Sequence, residues 1–236
     1  MLGAAELLSV WESGQAVDPA RRAVLLHAAA RPATPAEQLL TAVVGQRDAD
    51  LFGLRAALFG PAMPVRVACR GCEAELEFEF DAMAVAGLDQ LVPEPVEVTE
   101  GEWTVVLKVP TSGDLLDAGG AARALLASCA LEISRGGRPA TVDDLPAPVL
   151  ASAGQAVAEA DPRADVQLDV VCPDCGDRTE AELDIAGFLW AELDSWARAT
   201  LLDVHLLAVS YGWREPDVLA LSPSRRRHYL ELCGHA

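Results

Sequence analysis

The sequence predicts an α+β protein in which helical N- and C-terminal regions flank a small antiparallel β unit. Three observations lead to this class. Apolar residues recur at helical spacing near both ends of the chain. The spacing changes to strict alternation around residues 65–80 and 166–185, and a Cys-x-x-Cys pair lies inside each alternating stretch. We therefore divide the chain into an N-terminal helical region (1–60), a β unit with an inserted strand–helix segment (61–185) and a C-terminal helical region (186–236).

The N-terminal region reads as a series of short helices. Residues 18–19 (Asp-Pro) open one helix. Thr34, followed by Pro35 and Glu37, predicts an N-cap, because the hydroxyl can accept a first-turn amide and proline suits the first helical position. A further helix ends at residues 60–61 (Gly-Pro).

The β unit begins with a strand, a turn and a strand in VRVACRGCEAELEFEF, and the same pattern returns in VQLDVVCPDCGDRTEAELDI. Between them, residues 103–109 predict another strand. Thr111 or Ser112 then caps a helix that we expect to run through residues 125–131. A loop over residues 135–148 and a helix over 148–160 complete the insert.

The C-terminal region predicts one long helix over residues 186–212, which ends at Gly212. Two further helices open at Pro216 and at Ser222 with Pro223.

Four cysteines predict a metal site. Cys172 follows Cys69, and Cys175 follows Cys72, by the same 103 residues. A Cys-x-x-Cys turn between two strands supplies half of a tetrahedral four-sulfur shell, as in a zinc ribbon, and two such turns complete it. We expect these four residues to hold one structural Zn²⁺. Four protein ligands leave no open position for water, so the ion would cross-link the chain and not catalyse a reaction.

Other interpretations of the cysteines stay open. The 99 residues between Cys72 and Cys172 exceed the insert of an ordinary zinc ribbon. A redox pair normally begins a helix, whereas strands flank both pairs here. Structural disulfides need an oxidising compartment, and the first residues lack the layout of a signal peptide. We expect Cys129 to be a core residue, and Cys233 with His235 supplies too few ligands for a second site.

Composition excludes several classes of function. The chain carries 18 basic and 36 acidic residues, a net charge of −18, which would repel a phosphate backbone. None of the common nucleophile, phosphate-binding, dinucleotide or metalloprotease motifs is present, so we expect no enzyme. No stretch is apolar enough to cross a bilayer, and we expect a cytoplasmic protein. A zinc-ribbon factor that binds nucleic acid and a Cys-x-x-Cys redox protein remain the alternatives.

A basic and aromatic surface near the C-terminus is a candidate for partner binding. Arg225, Arg226 and Arg227 stand out in so acidic a chain and could dock an acidic partner, although a solvated helix face is the plainer interpretation. Tyr211 and Trp213 lie where the long helix ends, where aromatic residues either fill a core or contact a partner.

The passage FLWAELDSWARATLLDVHLLAVSYGWREPDVLALSPSRRRHYLEL, preceded by CPDCG and DPRADVQLDV, resembles the baseplate proteins of contractile phage tails and phage-derived injection systems. The similarity is to the group related to the T-even phage baseplate hub assembly chaperones, and FGP, CRGC and PTSGDL extend it over most of the chain. The resemblance implies a cytoplasmic factor that assembles the hub, or a minor part of the baseplate within a phage-like particle. It implies baseplate or hub proteins as partners and carries over no catalytic residues.

Overall fold

Helices at both ends of the chain and small antiparallel sheets between them confirm the α+β class in this computed structural model. The structure describes residues 2–86 and 94–234. By internal contacts the chain forms two compact units, one made of Pro19–Ala186 and the other of Met1–Asp18 together with Gly187–Ala236. The boundaries at residues 60 and 185 came from secondary-structure patterns, and as domain limits they stay a prediction.

The N-terminal helices are α1 (Ala4–Gly14), α2 (Pro19–Ala30), α3 (Ala36–Thr41) and α4 (Val44–Phe59). The expected start at Pro19 is observed. The expected N-cap at Thr34 is wrong, because Pro35 occupies the cap position and α3 begins one residue later. Helix α4 ends where Gly60 adopts a φ of 95°, a conformation that favours glycine.

Two hairpins have the strand, turn and strand arrangement that the alternation predicts. Strand β1 (Ala62–Ala68) pairs with β2 (Glu75–Asp81), and the short helix α5 (Ala82–Ala86) follows. Strands β7 (Gln167–Val171) and β8 (Arg178–Glu182) form the second hairpin. In both hairpins the last strand residue before the first cysteine faces the third residue after the second cysteine: Ala68 opposite Glu75, and Val171 opposite Arg178.

A four-stranded sheet lies between the hairpins in the sequence, in the order β3 (Val96–Glu100), β4 (Trp103–Leu107), β5 (Ala130–Arg135) and β6 (Arg138–Pro139). Strand β4 lies where it was expected. Its buried residues Val105 and Leu107 pack with Ile133 and with Val149 of helix α8 (Ala147–Ala160). Each such fully buried aliphatic side chain contributes about 1.5–3 kcal/mol by leaving water.

The single helix expected from Thr111 through residue 131 is wrong. Helix α6 (Ser112–Ala118) ends at Gly119 and Gly120, which both have positive φ, and helix α7 (Ala122–Cys129) stops before β5 begins. The expected cap at Thr111 is present, because its hydroxyl accepts the amide of Asp114. The expected loop over 135–148 contains β6 and a 3₁₀ turn, Val142–Asp144.

The compact unit made from both ends of the chain contains most of the long helix α9 (Ile185–Tyr211), followed by α10 (Glu215–Leu219) and α11 (Pro223–Leu232). All three helices agree with the sequence pattern. Leu207, Val218 and Leu230 form a buried cluster among them. No helix in the described part of the chain is both long enough and apolar enough to span a membrane.

Candidate metal centre

The two cysteine turns have the same backbone geometry. In the first, the amide of Cys69 donates to the carbonyl of Ala74 (2.8 Å), and the amide of Glu73 donates to the carbonyl of Cys69 (2.9 Å). In the second, Cys172 bonds Asp177, and Gly176 bonds Cys172, both at 2.9 Å. Every participant in the second turn lies 103 residues after its counterpart. The two turns are therefore equivalent half-sites.

The four cysteine sulfurs form one cluster. Cys69, Cys72, Cys172 and Cys175 place their Sγ atoms within 4.8 Å of one another. The Sγ atoms of Cys69 and Cys175 are 3.5 Å apart, and those of Cys72 and Cys172 are 3.6 Å apart. Four sulfurs bound tetrahedrally at about 2.3 Å from a metal are about 3.8 Å from one another, whereas a disulfide needs about 2.05 Å. The spacing fits a four-coordinate metal ion.

Burial differs within the cluster. Cys69 and Cys172, the first cysteine of each turn, are 2% and 1% exposed, while Cys72 and Cys175 are exposed. Leu76 is buried with the two inner cysteines, and Val67, Ala74 and Val170 pack against them. One side of the cluster thus rests on an apolar layer, and the other side is open to solvent.

The electrostatics of the cluster favour a bound cation. The backbone amides of Cys72 and Gly71 lower the pKa of Cys69 to about 6. The amide of Asp177 lowers the pKa of Cys175, but contacts with the neighbouring thiols raise it to about 12. One thiol therefore ionises readily and hinders the ionisation of the next. A cation bound between the sulfurs would favour the thiolate forms and replace the protons.

A polar contact joins the two turns directly. The amide of Arg70 donates to Oγ1 of Thr179 at 3.1 Å, and Thr179 is 3% exposed. By the 103-residue offset, the counterpart of Arg70 is Pro173, which has no N–H, and the counterpart of Thr179 is Leu76, which has no hydroxyl. The contact therefore has no symmetric counterpart. Because the two equivalent positions, Pro173 and Leu76, carry no donor or acceptor for it, no polar group is left without a partner there.

Two backbone positions in the turns are restricted. A Cβ at Gly71 would lie 2.6 Å from Oδ2 and 3.1 Å from Cβ of Asp177, so no larger residue fits without displacing that side chain. After the second cysteine of each turn the chain is left-handed, with φ of 59° at Glu73 and 76° at Gly176. Glycine adopts this conformation freely, whereas a non-glycine residue pays about 1–2 kcal/mol.

The sequence pattern predicted the four clustered cysteines and the flanking Gly71, Gly176 and Arg70, but not the contact of Arg70 with Thr179. Thr179 carried a signal, since the 103-residue offset aligns this polar residue with the buried Leu76. Of the other cysteines, Cys129 is buried in the core of the four-stranded sheet, as expected. Cys233 donates its thiol to the carbonyl of Tyr229 at 2.9 Å, and His235 lies outside the described residues.

The candidate partner residues lie at the ends of α9 and α11. The ring of Tyr211 stacks on Trp213 with centroids 4.8 Å apart, and both rings meet Tyr229 edge-on. Arg225 and Arg227 are exposed. Arg226 is 4% exposed, because it faces the interior of its helix packing, so it cannot contact a partner that docks on this surface without rearrangement. Tyr229 contacts both rings and so belongs to the same candidate surface. Its position directly after the basic run, in RRRHYL, was the sequence feature that could have indicated it.

The protein therefore belongs to the α+β class. Its two equivalent hairpins share one four-sulfur cluster, which is a candidate metal centre. The model of one protein family, T4 bacteriophage base plate protein, matches residues 43–189. The match covers more than half of the chain, so the chain belongs to this family. Membership makes it a component of a phage base plate. Neither a curated protein nor a solved structure matches the chain.

The matched residues contain both hairpins, all four clustered cysteines and the four-stranded sheet. Tyr211, Trp213 and Arg225–Arg227 lie beyond the matched range. The family match therefore supports the β unit directly and says nothing about the partner surface.

Proposed function

We propose that this chain acts by binding protein partners in the hub of a contractile tail or phage-like injection system, as an assembly chaperone or a minor structural component, and that its four clustered cysteines hold one structural zinc ion. The observation that carries the proposal is the family match over residues 43–189, which spans the whole candidate metal centre. A closed four-sulfur shell suits a cross-linking ion, because no coordination position is open to substrate.

The donor set supports zinc as the metal. Tetrahedral sites with four thiolates select zinc or iron, and zinc adds no redox chemistry to a site with two exposed sulfurs. Elemental analysis of the purified protein should find about one zinc per chain. Iron in place of zinc would show charge-transfer absorbance and overturn the assignment of the metal.

Binding explains the molecule better than the rival classes do. In a redox pair the two cysteines of one motif react with each other, whereas here sulfur contacts of 3.5 and 3.6 Å join cysteines of different motifs. A nucleic-acid factor would need a basic surface that overcomes a net charge of −18. Electrostatic binding to nucleic acid is strongest at low salt, so a failure to bind DNA and RNA under that condition would exclude this class of function.

The partner surface that we propose consists of Tyr211, Trp213, Tyr229, Arg225 and Arg227. Tyrosine, tryptophan and arginine dominate the energetics of protein interfaces, and Tyr211 is 40% exposed. Trp213→Ala and Arg225→Glu should each weaken co-purification with hub proteins of the same particle. The matched control is Arg138→Glu, which reverses an exposed arginine on β6, in the other compact unit of the chain.

Quantifying the chain in mature particles tests the function and separates its two forms. A fixed number of copies per particle identifies a structural component. Absence from particles, together with failure of the hub to assemble when the gene is deleted, identifies a chaperone. Normal hub assembly without the gene, in particles that never contain the chain, refutes both forms.

A further inference from the structure

A buried arginine on helix α11 lacks acceptors for its charged group. Arg226 is 4% exposed. Its Nε and Nη1 atoms are buried, and neither makes a hydrogen bond with any residue that the structure describes. Buried charges are normally paired, because an ion that leaves water loses its hydration and needs hydrogen bonds to replace it. The fold of the described chain therefore does not explain why an arginine occupies this position.

Asp203, on α9, does not supply the missing acceptor. Burial raises the pKa of this carboxyl group, and the nearby charges of Arg226 and Arg227 act in the opposite direction. The three groups are thus close, but Asp203 accepts no hydrogen bond from Nε or Nη1 of Arg226. One turn further along α11, Leu230 belongs to an apolar cluster, which offers no acceptor either.

The helix around Arg226 is basic. Residues 222–234 carry three arginines and one glutamate, a net charge of +2 in a chain whose total charge is −18. Arg225 and Arg227 are exposed on either side of Arg226 in the sequence. Glu231, the one acidic residue of this stretch, lies 3.5 Å from His228. Like charges beside Arg226 make its unpaired state less favourable, and charge complementarity favours an acidic partner at this helix.

We propose that the partner surface binds an acidic segment of a base plate protein, and that a carboxylate of this segment is the acceptor that Arg226 lacks. The long side chain of Arg226 turns outward when the segment docks, which is the rearrangement that its burial requires. Arginine and a carboxylate form charge-assisted, often paired hydrogen bonds, and arginine is common among the residues that dominate interface energetics. The rings of Tyr211, Trp213 and Tyr229 supply the apolar contacts beside this ion pair. The location of the surface rests on the proposed function.

A model peptide tests the proposal with the full-length protein. The probe is a short fluorescent peptide of glutamates and leucines, and its control peptide has glutamines in place of the glutamates. Fluorescence anisotropy should show saturable binding of the acidic peptide that weakens as salt is added. Arg226→Met removes the charge but keeps a long side chain, and it should weaken binding at least about tenfold. Arg198→Met should leave binding unchanged, because this exposed arginine lies further up α9 and pairs with Asp194.

The melting temperature separates a binding role of Arg226 from a structural one. Replacing buried charge by an apolar side chain of similar size is often neutral or stabilising, so Arg226→Met should melt no lower than the wild type. Arg226→Lys keeps the charge but loses the planar fork, so it should also weaken binding, and it keeps the test decisive if the methionine variant does not fold. A lower melting temperature in both variants would show that Arg226 serves the fold and would overturn the proposal.

Equal binding of the acidic peptide to the wild type and to a folded Arg226 variant would refute the proposal, as would equal binding of the glutamine peptide. Tighter binding of a single-stranded DNA oligonucleotide than of the acidic peptide would assign the surface to phosphate groups and also overturn it. None of these measurements requires hub proteins or mature particles, so failure here is distinct from failure of the proposed function.

Discussion

Replacing one of the four clustered cysteines should release the constraint that the proposed metal ion places on the chain. In Cys172→Ser the cluster keeps three thiols and loses one of its two buried sulfurs. The metal ion that we propose at this site would join two turns separated by 99 residues of sequence. Without the cross-link, the unfolded chain regains conformational entropy that a bound metal would remove.

The loop length sets the expected magnitude. Closing a loop of about 100 residues by a covalent cross-link is worth about 4–5 kcal/mol in the chain-entropy description. A tetrahedral metal that fixes the same two points should contribute a similar amount, because the loop closed is the same. We therefore expect Cys172→Ser to lower the free energy of unfolding by about 4 kcal/mol.

Urea denaturation combined with metal analysis measures this effect. Cys172→Ser should lose its zinc, and amides in the two cysteine hairpins should exchange faster than in the wild type. Chelation should destabilise the wild type by a similar amount and leave the variant unaffected. Cys233→Ser is the matched control, because its hydroxyl can still donate to the carbonyl of Tyr229 and it lies outside the cluster.

Two results would refute this reasoning. Full zinc content in Cys172→Ser would mean that the sulfur cluster is not the metal site. An unchanged unfolding free energy after chelation of the wild type would mean that the metal, even if bound, does not hold the β unit together.

Three further predictions follow from individual contacts. Gly71→Ala forces a methyl group against Asp177, so zinc affinity in a chelator competition should fall about 10–100-fold. Glu73→Gly removes the left-handed strain and should raise the free energy of unfolding by up to about 1 kcal/mol in urea, while Gly176→Ala should lower it by a similar amount. Burial raises the pKa of Asp50, but hydrogen bonds from His27 and Arg31 outweigh it and lower the pKa from 3.8 to about 2. This stabilisation is complete above pH 3.8 and disappears as the pH falls to 2, so Asp50→Asn should cost about 2 kcal/mol at pH 7 and little near pH 2.

Each of these predictions has its own point of failure. Unchanged zinc affinity in Gly71→Ala would mean that Asp177 moves aside freely. Destabilisation by Glu73→Gly would show that the Glu73 side chain contributes more than its backbone conformation costs. An equal loss of stability in Asp50→Asn at both pH values would mean that ionisation of Asp50 does not contribute to the acid sensitivity of the fold.

The cysteine cluster was predictable because its signal is local and repeated. Each turn follows from alternation on either side of a Cys-x-x-Cys pair, and the constant offset shows that the turns are equivalent. The contact between Arg70 and Thr179 was not predictable in the same way. It depends on how the two turns face each other in space, which no local pattern encodes.

The insert shows where local pattern fails. Leu131 and Ile133 follow a helical run, and their spacing fits a helix as well as a strand. The buried strand β4 has β3 on one edge, and its other edge needs a hydrogen-bonding partner. Residues 130–135 supply it, so tertiary pairing overrides the helical tendency. The break between α6 and α7 was predictable from Gly119 and Gly120, because consecutive glycines commonly interrupt helices.

The two cysteine turns also determine where the chain tolerates change. Because the four cysteines bring residues 69–72 beside residues 172–175, the proposed ion would hold the ends of the intervening segment in place whatever that segment contains. Doubling the length of a closed loop costs only about 0.6 kcal/mol in entropy. With the proposed ion in place, the segment between the two hairpins could therefore change in length and sequence, including its sheet, while the hairpins keep their pairing.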